Sequence, residues 1–71
     1  MITKLIIGDI VKRNNGDIYY LWQENELFYV RRLTKNLKFH KSTNTAYVVD
    51  LESMEIEEYI KRDVSIEEVL P

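Results

Sequence analysis

Short runs of β-branched and aromatic residues recur along this chain, and turn-forming clusters interrupt them every 8 to 12 positions. That cadence favours antiparallel strands, because β-branched and aromatic side chains suit a pleated surface and Asn, Asp and Gly supply the tight reversals. Leu5 to Arg13, broken at Gly8-Asp9, is the first strand candidate, and Asn14-Asn15-Gly16-Asp17 follows it. Asn-Gly tolerates the two positive φ angles of a type I′ hairpin. Ile18 to Trp22 and Leu27 to Arg31 form the next pair, separated at Glu24-Asn25. After Thr34-Lys35-Asn36, residues Leu37 to Lys41 alternate at period two, and Ala46 to Leu51 reads as a fifth strand. The expectation is one domain over residues 1–71, mostly β: a small barrel, or an antiparallel meander of five to six strands.

Beyond Leu51 two patterns compete. Met54 and Ile56 alternate with Glu55 and Glu57, which suits a hairpin over 50–56 whose sixth strand covers an exposed edge. Ile56, Tyr59, Ile60 and Val64 recur at helical spacing, with Glu57/Lys61 and Glu58/Arg62 as i,i+4 pairs. The end is less ambiguous. Ser65 and Glu68 make an S-x-x-E capping box, and Val64 and Val69 occupy hydrophobic-staple positions. A short helical turn from Ile66 to Leu70 is expected, stopped by Pro71.

Two stretches carry a resemblance. Gly8-Asp9-Ile10-Val11-Lys12 is similar to the opening strand of SH3-like barrels. Val48-Val49-Asp50-Leu51-Glu52-Ser53-Met54-Glu55-Ile56 looks like the closing hairpin of small phage or prophage proteins with that fold. The family pattern has Thr-Gly where this chain has Ser53-Met54, and Met does not readily take positive φ. The resemblance implies an SH3-like barrel and a mobile-element setting, and it carries no active site.

Composition narrows the function. No cysteine is present, so disulfides, thiolate metal sites and a thiol nucleophile are excluded, and a reducing cytoplasm is the expected setting. The longest apolar run, Leu5-Ile6-Ile7, is far short of the roughly 20 residues of a membrane span. His40 is the lone imidazole and lacks a nucleophile or orienting partner at any recognisable spacing. Glu52, Glu55, Glu57, Glu58 and Asp63 lack the Asp-rich, Gly-containing loop of a calcium site. Neither an enzyme nor a cofactor is expected.

The net charge of −2 is unevenly spread: residues 1–41 balance at +4 and residues 42–71 at −6. An even-length loop in the 18–31 hairpin puts Trp22 opposite Leu27 and Tyr20 opposite Tyr29, leaving Tyr20, Trp22, Tyr29 and Arg31 on one face. Tyr19, Leu21, Phe28 and Val30 take the other, and a small antiparallel sheet ordinarily buries only one. An exposed Tyr20–Trp22–Tyr29–Arg31 stripe beside the basic residues Arg32, Lys35, Lys38 and Lys41 then makes a contact surface. A protein partner is the first expectation for it. A single-stranded nucleic acid stacked on the aromatics is the second, against which the pI of about 5.3 weighs. Two alternatives stay open: the aromatics are a second core, and the basic half answers the acidic half within the molecule.

Overall fold

The computed structural model describes residues 6–40 and 46–71. Five antiparallel strands form one open sheet: β1 (Ile7–Arg13), β2 (Ile18–Glu24), β3 (Leu27–Arg32), β4 (Tyr47–Val49) and β5 (Ile56–Ser65). Their order is β4-β3-β2-β1-β5. The chain meanders through four strands, then returns across the sheet to pair its last strand with its first. The fold is therefore mostly β, in the meander form of the expectation, and the only helical segments among the described residues are 3-10 turns at Glu52–Met54 and Ile66–Val69.

Each turn has a local cause. Between β1 and β2, Gly16 N donates to Arg13 O at 2.9 Å, and Arg13 N to Asp17 O at 2.9 Å. Only Gly16, at φ 94°, is left-handed in this loop. It is thus a three-residue turn closed by a glycine bulge, and the expected type I′ pair lies elsewhere. That pair is Asn25-Glu26, with φ of 50° and 70°, which joins β2 to β3. The two-residue loop sits one position later than expected, so Trp22 faces Tyr29 and Tyr20 faces Arg31. The shift is even, and the grouping of side chains by face survives it.

Of the strand expected over Leu37 to Lys41, the described residues 37–40 do not form one. Leu37 takes φ 61°, which breaks the extended run, and Leu33–Phe39 is an isolated bridge. Phe39 instead turns inward and donates its N–H to Val69 O at 2.7 Å, tying the 33–40 loop to the last 3-10 turn. The 50–56 hairpin is also replaced. A 3-10 turn at Glu52–Met54 buries Met54, and Glu55 takes the positive φ of 49° that Met54 avoids. Asn14 holds Glu55 there, through its N–H to Glu55 O at 3.1 Å and its amide to Glu55 Oε2 at 3.1 Å. Residues 56–65 are strand, not helix, and pair with β1.

Both faces of the sheet are buried, contrary to the one-face expectation. Ile10, Tyr20, Trp22, Leu33, Phe39, Val64 and Val69 form one cluster, roofed by the 33–40 loop and the C-terminal turn. Val11, Tyr19, Leu21, Val30 and Met54 form the other, roofed by Leu51 and the first 3-10 turn. The capping box fixes the first roof: Ser65 Oγ accepts from Glu67 N at 3.3 Å, and Ser65 N donates to Glu68 Oε2 at 3.2 Å. Val64 and Val69, the staple residues, are both buried.

Candidate interaction surface

The expected aromatic stripe is assembled but lies inside. Tyr20 is 0% and Trp22 8% exposed, which corrects the expectation that they lie on the outside. Trp22 stacks on Tyr29 with centroids 5.7 Å apart and planes at 17°, and Tyr20 meets Phe39 edge-on at 5.8 Å. Tyr20 and Trp22 follow the second-core alternative because the 33–40 loop, expected as a strand from Leu37 onward, covers them. Each polar end is satisfied, as buried Tyr and Trp require. Tyr20 donates its hydroxyl to Val64 O at 2.6 Å, and Trp22 Nε1 donates to Glu24 Oε1 at 3.1 Å. Burial pushes the Tyr20 phenol up to about 12, partly offset by a hydrogen bond from the Gly8 backbone.

The remaining members reach the surface in part. Tyr29 and Arg31 are half-buried. The Arg31 guanidinium lies 4.0 Å over the Phe39 ring and donates to His40 O at 3.5 Å. Arg32 is exposed and pairs with Asp17 at 3.3 Å. Lys35 and Lys38 are exposed, and Lys38 Nζ donates to Glu68 O at 2.7 Å. Lys41 lies outside the described residues. Lys61, itself in the acidic half, reaches Glu68 at 3.4 Å, and Lys38 meets the acidic half through a backbone carbonyl rather than a carboxylate. These pairs are solvent-exposed and each contributes little to stability.

His40 stands in the loop, not on a strand, and its carbonyl receives Arg31. Among the described residues no group of three or more His, Asp or Glu is placed to hold a metal ion. The cleft between Ile7, Asp9, Leu21, Gln23, Phe28 and Asp63 is open and about 200 Å³, below the roughly 300 Å³ at which small-molecule sites begin. No helix among the described residues is long and apolar enough to cross a membrane.

The two edges of the sheet differ in kind. β5 carries Glu57, Glu58, Lys61, Arg62 and Asp63, all exposed, and its register with β1 shifts three times. Asp63, at φ 55°, sits in one of these bulges, where its N–H donates to Asp9 Oδ1 at 3.0 Å and Arg62 Nε reaches the same oxygen at 3.3 Å. Charges and bulges are the usual devices that keep an edge from pairing. β4 has neither. Tyr47-Val48-Val49 is an uncharged edge, with Val48 52% and Tyr47 43% exposed. Partial burial, then a hydrogen bond with Tyr19, holds the Tyr47 hydroxyl above its ordinary range.

Backbone alternation says which groups this edge offers. The closing pair Glu24–Leu27 of a two-residue hairpin is hydrogen-bonded, and such pairs then alternate. Leu33 N donates to Ile18 O at 2.9 Å, six residues along each strand from that pair, in keeping with the alternation. Phe28 and Val30 therefore face β4, bonding Val49 and Tyr47, and Val48 turns its N–H and C=O to the open side. The sequence implies an edge at a strand ending near Leu51, and a sixth strand is expected over it; β4 instead lies at the edge of the sheet. The signal for the outcome was present in β5, whose charged, bulging sequence suits an outer edge better than a seam. Compared with protein-family models, curated proteins and solved structures, the chain matches none.

Proposed function

We propose that this chain is a non-enzymatic protein-binding module that receives its partner along the open β4 edge. The observation that carries the proposal is the contrast between the two edges: β5 is charged and bulged, and β4 presents exposed Tyr47 and Val48. An unpaired strand edge recognises an extended segment through main-chain hydrogen bonds, with side chains on alternate faces giving specificity. Tyr29 and Arg31 flank that edge from β3, so the aromatic-basic grouping contributes at its surface end while Tyr20 and Trp22 hold it from beneath. Burial of Tyr20 and Trp22 removes the stacking platform that a single-stranded nucleic acid would need. The cytoplasmic setting belongs to the same proposal and rests on the cysteine-free composition; the mobile-element origin rests on sequence resemblance alone, since the 50–56 hairpin it implied is a 3-10 turn here.

A photo-crosslinking residue introduced at Val48, and separately at Glu57 on the β5 edge, tests the proposal in cells that express the chain. Adducts at position 48 and none at 57 are expected, and no adduct at position 48 would overturn it. Titration with labelled single- and double-stranded oligonucleotides at low salt is expected to show no binding. Saturable, salt-sensitive binding would replace the protein reading with a nucleic-acid one.

A further inference from the structure

We infer that the partner this edge is built for is a second copy of the chain, paired antiparallel through β4 about a two-fold axis at Val48. The inference rests on the reading of β4 as a contact edge and names its occupant. Three features of the edge are complementary to the edge itself.

The first is hydrogen bonding. Val48 directs its N–H and C=O outward, and in an antiparallel pair one residue can exchange both bonds with its opposite number. A dyad at Val48 uses those groups reciprocally, and isologous contacts of this kind close into dimers.

The second is side-chain matching. Tyr47 comes opposite Val49 of the second copy, an aromatic facing a β-branched residue, a favourable cross-strand pair. On the opposite face Trp22, Tyr29 and Val48 already form a row across β2, β3 and β4. The dyad continues that row into Val48, Tyr29 and Trp22 of the second copy.

The third is charge. Ala46 of one copy comes opposite Asp50 of the other. Continuing the register one step beyond Val30–Tyr47 puts Arg31 beside Ala46. The intervening alanine is small, the Arg31 guanidinium held over Phe39 belongs to the same face as the opposing carboxylate, and the dyad makes this juxtaposition of opposite charges twice. Asp50 lends the fold its carbonyl, which accepts from Ser53 N at 3.0 Å and Ser53 Oγ at 2.7 Å. The exposed carboxylate is left for the second copy. The β5 edge offers no such self-match, since its bulges interrupt any regular ladder.

A three-residue strand buries little area, and interfaces under about 1,200 Å² are weak and transient. A concentration-dependent dimer is therefore expected. Because the chain contains no cysteine, Val48→Cys reports on that position alone. Under mild oxidation it should give a disulfide-linked dimer, at protein concentrations where Glu57→Cys stays monomeric. Sedimentation of the unmodified chain from about 10 μM to about 1 mM, the range of a weak complex, should show a monomer–dimer equilibrium. Val48→Lys should be monomeric throughout with an unchanged circular dichroism spectrum, because Val48 is exposed. Asp50→Lys should weaken the dimer about tenfold, with the loss reduced in high salt. A chain that stays monomeric across this range, or cysteine variants that cross-link equally, would overturn the inference. Photo-adducts at position 48 with a different protein and none with a second copy would also overturn it, while leaving the interaction edge itself standing.

Discussion

Tyr20 sits where three strands depend on one side chain. It is fully buried, its hydroxyl donates to Val64 O of β5, and its ring lies against Gly8 of β1. Its folded-state pKa of about 12 lies above the ordinary 10, so the folded chain holds that proton more tightly than the unfolded chain does. The sign follows. This contribution is complete below pH 10 and is lost as pH rises through 12, a loss of about 2–3 kcal/mol. Alkaline unfolding within that window is expected by circular dichroism, and Tyr20→Phe should flatten it. The same variant should cost about 1 kcal/mol at neutral pH for the lost hydrogen bond. Gly8 is constrained from the other side. A Cβ there would press into the Leu21 carbonyl oxygen and lie 2.9 Å from Tyr20 Cζ. Gly8→Ala should therefore destabilise by about 1–3 kcal/mol, read as a lower urea midpoint. Apolar identity made Tyr20 and Trp22 legible in the sequence as one group. Their burial was not legible, because it depends on Phe39 and Val69, which reach them only through loops.

The β2–β3 hairpin shows what an element discloses before its structure is known. Strand alternation sorts Tyr20, Trp22 and Tyr29 from Tyr19, Leu21 and Val30 for any even loop, so the faces were readable without the register. The turn position was not, because Glu24-Asn25 and Asn25-Glu26 are equally polar. Glu26 holds φ 70°, a conformation that costs a non-glycine residue about 1 kcal/mol or more. Glu26→Gly should thus stabilise the chain by several tenths to about 1 kcal/mol, raising the thermal midpoint without altering the fold. The 33–40 loop was the least readable element. Its Leu37–Lys41 alternation fits a strand, and only the left-handed Leu37 and the tertiary bond from Phe39 N to Val69 O exclude one. By contrast, Ser65 and Glu68 were legible because a capping box is local.

At the scale of the whole molecule, the chain covers both faces of its sheet with loops and 3-10 turns, having no α-helix among the described residues to do so. Each roof is thin, so a core aromatic carries a large share of the stability. Trp22→Ala should cost about 3–5 kcal/mol, a large part of the roughly 5 kcal/mol that a domain of this size can hold. Loss of cooperative urea unfolding is the expected result. Among the described residues the ion pairs Lys61–Glu68 and Arg32–Asp17 each lie within one half of the chain, and Lys38 bonds the backbone carbonyl of Glu68, so these contacts leave the uneven charge standing. The placement of β1 between β2 and β5 has a further consequence for how the molecule is made. β1 leaves the ribosome before β5 and waits for it before both its edges are paired. Until Ile56–Ser65 emerges, a nascent chain carries β1 with one side bare. Its folding is therefore expected to be a single late event, slowed by the long loop that β1 and β5 must close.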